Sequence, residues 1–285
     1  MKIRRSQDLL FLAASLLAAA AFVGAYLASS RQEVINTRNN NGSGSGPTFI
    51  KPSSWPPVQQ LKDSGLSPVS NDELKKCTAI LELPQEIYAK AHPSNFGNRE
   101  PRDAIGRSIP NQPAIVIIHE TVIPAAATIN LFQTNHLKDS DQASYHLLIN
   151  RAGERIRVVP DGNRAYGSGY SAFGDFTIHA KNPESFSINN VALHVSLESP
   201  SDGAGDNPTH SGYTRAQYDS LAKQVLLWQA KYRIPIFRVT THASVDRSHS
   251  RYDPRSFSLA RWDLFDRLHK KYSTDCNLSQ FALPD

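Results

Sequence analysis

Residues 114–119 read AIVIIH, a continuous apolar and β-branched run that follows Pro113. A run of this kind bounded by proline predicts a buried strand, here ending at His119. The segments SYHLLIN and RIRVV flank the glycine-containing stretch RAGE, the pattern of a hairpin, and AAATINLFQTNH between that hairpin and the first strand reads as a helix. VALHVSLE alternates, with Leu193, Val195 and Leu197 on one face and Ala192, His194, Ser196 and Glu198 on the other. Thr214 is placed to cap RAQYDSLAKQVLLWQAKY, in which Tyr218, Leu221, Ala222, Val225 and Leu226 fall at core-facing spacing. IPIFRVTT predicts a strand ending at His242, and SLARWDLFDRLHKKY a last helix. Upstream, Ser70 or Asn71 caps a helix running to about Leu81, and LPQEIYAKA reads as a further helical turn or two. Strands interleaved with helices predict an α/β domain with a central mixed β-sheet and flanking helices.

At 285 residues with 40% apolar content, the chain can bury one sizeable core and still carry appendages. The appendages lie at the N-terminus. After Lys2, Arg4 and Arg5, residues 9–28 carry no charge, a length that suits a membrane-crossing helix. Val23-Gly24-Ala25 offers the alternative of a cleaved signal segment. The Gly/Ser/Asn-rich and then Pro-rich composition that follows predicts a flexible linker. The expected layout is an anchor or signal at 1–30, a linker at 31–69 and a single folded domain at 70–285, on the periplasmic side of the cytoplasmic membrane, anchored or secreted. The net charge of +5 mildly favours a polyanionic setting, but no Lys/Arg block lies beyond the N-terminus, which argues against nucleic acid. Cys77 and Cys276 sit near opposite ends of the folded region, without metal-ligand spacing, and are read either as a disulfide or as two separate buried thiols.

His119 and His242 each close a predicted strand, and Asp253 follows in RYDPR, where Pro254 restricts its backbone. Two imidazoles and a carboxylate make a set that suits Zn²⁺ and leaves a fourth tetrahedral position for water, the arrangement of a catalytic site.

At PAIVIIHET, ASYHLLINRAGERIRVV and VTTHASVDRSHSRYDPRSF the chain resembles the type 2 N-acetylmuramoyl-L-alanine amidases, a family that includes phage lysozyme amidases and animal peptidoglycan recognition proteins. The resemblance runs from HPSNFGNR, His92 to Arg99, to about Phe265. It implies a domain of the peptidoglycan recognition protein type. It also implies zinc held by His119, His242 and Asp253, and hydrolysis of the amide between N-acetylmuramic acid and L-alanine in peptidoglycan or a muropeptide, by a monomer. Tyr145 matches a tyrosine that catalytic relatives keep in a YH pair, and is implied to meet the oxyanion or orient the water. Where many bacterial relatives carry a catalytic glutamate, this chain has Ser196, which is no base at neutral pH, so Glu198 becomes the candidate. Arg251 stands where relatives have Lys or Thr, and its planar, permanently charged fork suits an oxyanion or a stem-peptide carboxylate. His249 is set aside as a ligand, and His146 is read as a satisfied core histidine or one that supports the site from behind. YGSG, Tyr166 to Gly169, replaces a substrate-contacting HAG of the relatives. A non-catalytic peptidoglycan-binding module is the rival reading, and such relatives typically lack a zinc ligand.

Overall fold

The computed structural model describes residues 65–283, apart from 206 and 258. The apolar run at 9–28 and nearly all of the expected linker lie outside the described residues, among which no helix is long and apolar enough to cross a membrane. In chain order the strands are β1 (Ile87–Tyr88), β2 (Phe96–Asn98), β3 (Ile115–Glu120), β4 (Leu147–Ile149), β5 (Arg155–Arg157), β6 (Asn163–Ala165), β7 (Ala192–Leu197) and β8 (Val239–Thr241). The helices are α1 (Asn71–Leu81), α2 (Ala125–Gln133), α3 (Arg215–Tyr232), the single turn α4 (His242–Val245) and α5 (Leu259–Asp275). Six strands form one sheet in the order β1-β5-β4-β7-β3-β8, with β4 antiparallel to β5 and the other neighbours parallel. β2 and β6 pair separately. The expected mixed sheet with flanking helices is what forms.

Strict alternation on β3 and β7 sorts the two faces. Val116, Ile118, Leu193, Val195 and Leu197 pack with Tyr218, Leu221, Val225 and Leu226 of α3 and with Phe265 and Leu268 of α5. All of these are buried, and truncating one of the leucines to alanine costs about 2–5 kcal/mol. The α3 start is the predicted one: Thr214 accepts from the Gln217 N–H while the Gln217 side chain accepts from the Thr214 N–H, a reciprocal cap. Ser70 and Glu73 cap α1 in the same way. Cys77 of α1 and Cys276, just beyond α5, are disulfide-bonded, which ties the two ends of the domain together.

The opposite face is different. Ile115, Ile117 and Ala192 pack beneath Phe173, Phe176 and Ile188, and Leu148 packs with Phe132 of α2. Between these two clusters β3 and β7 present His119, His194 and Ser196, all fully buried.

Two expectations require correction. LPQEIYAKA is not helical: Ile87 and Tyr88 pair in parallel with β5, and the backbone bonds Ala89 N–H to Arg157 O and Ala91 N–H to Val158 O extend that edge. A strand so short forms only because β5 offers it an unpaired edge, which local propensity does not encode. Likewise the strand before His242 is limited to Val239–Thr241, and His242 opens α4 instead of closing the strand, because the Thr241 side chain accepts from the Ser244 N–H and caps a helical turn.

Candidate active site

Register brings two histidines distant in sequence side by side. Ile118 of β3 pairs with Thr241 of β8, so His119 and His242 follow at neighbouring positions, with ring centroids 4.6 Å apart. The chain after α4 then loops back. Asp246 organises that loop by accepting from the backbone N–H groups of Ser248, Ser250 and Arg251, and the Ala243 N–H donates to Asp253 O at 3.0 Å. Asp253 thereby sits against both rings: its Oδ1 lies 2.8 Å from His242 Nδ1 and its Oδ2 lies 3.3 Å from His119 Nδ1. The Asp253–Pro254 peptide is cis. One donor atom from each of His119, His242 and Asp253 falls within 4.8 Å of the others, and all three residues are buried.

A buried pair braces the two ligand-bearing segments. Glu120, next to His119, and Arg255, two residues past Asp253, meet through Nε and Oε1 at 2.5 Å. The second Glu120 oxygen accepts from Ser199 Oγ and Tyr213 Oη and faces His210 Nε2 at 2.9 Å. Arg255 donates in addition to the carbonyls of Gly203, Gly205 and Asn207. Every arm of this pair is engaged, as a buried charge requires.

The electrostatics favour a neutral imidazole beside an ionised carboxylate. Burial pushes His119 down to about 4 and holds His194 and His146 well below their ordinary range. Burial alone raises the Asp253 carboxyl, but the charge of His242 and the contacts from both imidazoles overcome it and keep Asp253 well below the usual carboxylate range.

The other expected residues divide. Tyr145 is brought to the site, its ring stacked on His119 at 4.6 Å and edge-on to Phe132 at 5.2 Å. Arg251 is half-buried in the Asp253 loop, and its charge is among those disfavouring protonation of His119. Glu198 is turned to structural work: Oε1 accepts from the Ala125 N–H at the start of α2 and Oε2 from the Arg151 N–H in the β4–β5 turn, both at 2.8 Å. His249 is exposed and outside the donor cluster. His146 is the expected satisfied core histidine, with Nδ1 accepting from the His194 N–H and Nε2 on Asn163 O. Ser196 is paired in register with His119, and its buried Oγ has no hydrogen-bond partner. Gly167 of the YGSG stretch lies against His194, where a Cβ would come within 2.6 Å of Nδ1.

Glu120, Arg255, Asp246 and His194 are missed by reading the sequence. For Asp246 a signal exists, since an aspartate two residues before a serine is the pattern of a side-chain-capped turn. The rest depend on strand register.

No curated protein matches the chain. Among solved structures, a selenomethionine AmpD derivative is similar at 19% identity and TM-score 0.47, over 66% of this chain and 96% of that one. Staphylococcus aureus hydrolase AmiA in complex with its ligand gives 16% and 0.46, over 76% of this chain and 98% of that one. PlyL gives 22% and 0.40, over 66% and 96% respectively. The sequence pattern of the N-acetylmuramoyl-L-alanine amidases, Amidase_2, matches residues 110–256. That match covers more than half of the chain, opening just ahead of β3 and closing just past Asp253, and on it the chain belongs to the N-acetylmuramoyl-L-alanine amidase family.

Proposed function

We propose that this family member is a zinc-dependent enzyme that hydrolyses the amide between N-acetylmuramic acid and L-alanine in peptidoglycan, with His119, His242 and Asp253 as the zinc ligands. The observation that carries the reading is the meeting of three buried residues, one donor atom from each lying within 4.8 Å of the others. His119 Nδ1 and Asp253 Oδ2 face each other at 3.3 Å, buried and without a well-formed hydrogen bond. Leaving such atoms bare costs about 1–3 kcal/mol each, more for a charged group, and a cation bound among them removes that cost. Two nitrogens and one carboxylate oxygen suit zinc, and three protein ligands leave a position for substrate or water.

Zinc bound there supplies Lewis acidity to the scissile carbonyl and lowers the pKa of a water to about 7. The chain's own residues do the remainder. Tyr145, whose ring stacks on His119, is assigned to donate its phenol to the developing oxyanion or to orient the water. Arg251 keeps its charge throughout and grips a carboxylate of the stem peptide or assists the oxyanion. Glu198, engaged by two backbone N–H groups, holds α2 and the β4–β5 turn in place, and we assign it no proton transfer. Hydrolysis breaks the C–N bond, leaving a lactyl carboxylate on the sugar and a free amine on L-alanine. The Cys77–Cys276 disulfide supports an oxidising compartment and so a location in the cell envelope, reached through the apolar segment at 9–28.

The test is digestion of purified peptidoglycan by the full chain, with and without a chelator, scored by new L-alanine amino termini. They appear without chelator, vanish with it and return on adding zinc. Binding to the wall with no new termini under any condition leaves the non-catalytic module as the correct reading.

A further inference from the structure

We infer that His194 is a positioning residue for the metal site: its Nδ1 accepts the Nε2–H of His119 and so holds the His119 ring in the tautomer that leaves Nδ1 bare for a cation. The inference rests on the zinc reading and deepens it.

His119 Nε2 and His194 Nδ1 lie 2.9 Å apart, and both side chains are fully buried. A neutral pair of imidazoles in this contact shares one proton between the two facing nitrogens. The other nitrogen of His119, Nδ1, faces Asp253 Oδ2 at 3.3 Å, which makes it the nitrogen that would share a cation with that carboxylate. A nitrogen that coordinates metal carries no proton, so the His119 proton sits on Nε2 and His194 Nδ1 accepts it. Metal-bound histidines usually hand that second N–H to a carboxylate, a carbonyl or water. Here another imidazole takes that part.

The His194 ring is itself fixed from several directions. Its backbone N–H donates to His146 Nδ1 at 3.0 Å, and the His146 ring lies parallel to it at 5.7 Å and 8°. Gly167 makes the remaining room, since a Cβ there would approach Nδ1 to 2.6 Å and Cγ to 2.8 Å. A simple core role does not account for this arrangement. His194 is paired in register with Ile117, next to an apolar cluster, and its Nε2 is buried without a partner. A leucine in its place would carry no such desolvation cost. The acceptor for His119 is what the imidazole adds.

The experiment measures zinc dissociation constants of the full chain by chelator competition for wild type, His194→Leu, His194→Asn and Gly167→Ala. Removing the acceptor in His194→Leu is expected to weaken zinc about 10–100-fold. His194→Asn, whose amide oxygen lies near the position of Nδ1, recovers most of that loss, and Gly167→Ala, which pushes the ring aside, reproduces part of it. Long-range ¹H–¹⁵N spectra of zinc-loaded wild type show His119 and His194 each protonated on Nε2, a readout that stands even if His194→Leu does not fold. Wild-type affinity in His194→Leu, equal weakening in the Leu and Asn variants, or a proton on His194 Nδ1 overturns this inference alone. Wild-type protein that binds no zinc overturns the zinc reading and this inference with it.

Discussion

Replacing Arg255 by methionine keeps much of the volume and removes the charge that braces the Asp253 loop. In the structure the Arg255 side chain is 1% exposed and its Glu120 partner is fully buried. Three of the donors to Glu120 meet Oε2, whereas Oε1 meets only the Arg255 Nε and, at 3.2 Å, the Arg255 backbone N–H. Arg255→Met therefore strands Oε1 almost alone and frees the carbonyls of Gly203, Gly205 and Asn207. Breaking a buried pair by deleting one partner costs about 3–5 kcal/mol, a large part of the 5–15 kcal/mol that typically separates folded from unfolded protein. The assay is equilibrium urea denaturation at neutral pH, read as a fall in midpoint at constant slope. Glu120→Gln combined with Arg255→Met removes both charges, so the double variant loses about 0.5–3 kcal/mol less than the sum of the two single losses. An Arg255→Met protein within about 1 kcal/mol of wild type, or single losses that simply add in the double variant, would refute the claim that this pair clamps the loop to β3.

The Cys77–Cys276 bond spans 199 residues, and closing a loop of that length restricts the unfolded chain by about 5 kcal/mol in the entropic account. A Cys77→Ser/Cys276→Ser variant should show most of that loss on denaturation, and unchanged stability would remove the bond from the account. His269 is buried on α5 against Gln229, and burial pushes its imidazole down to about 4. The unfolded chain takes up this proton first, so the contribution is full above pH 6.5 and is lost as pH falls towards 4, roughly 3 kcal/mol from this group. Stability curves of wild type and His269→Leu that run parallel across that window contradict the assignment. Tyr145→Phe keeps the stack on His119 and loses the phenol, with kcat falling about 10²-fold at unchanged zinc content. Glu198→Gln, by contrast, should lower stability by about 1 kcal/mol with kcat intact, and a hundredfold loss of kcat in a folded protein would return it to the chemistry.

What was legible in the sequence is what local physics decides. The Thr214 cap and the alternation on β7 depend on neighbours within a few residues and stand in the structure as read, and the β3 run forms its strand with one residue more, to Glu120. His119, His242 and Asp253 come together as the family resemblance implies, although β3 runs on to Glu120 and His242 opens α4, so neither histidine closes a strand. Residues 83–91 read as helical because their extended form is supplied by β5, far along the chain. Glu120 and Arg255 look like solvated charges until the β3 and Asp253 segments are brought together. His194 looks like one more polar position on an alternating strand, and only the β3–β7 register places it against His119.

Anomalous diffraction at the zinc edge from crystals of the zinc-loaded protein tests the central claim most directly. The account predicts a single strong peak bonded to one nitrogen each of His119 and His242 at about 2.0–2.1 Å and to an Asp253 oxygen at about 2.0–2.2 Å, with no fourth protein ligand. A peak elsewhere, or a fourth side chain closing the coordination sphere, would contradict it.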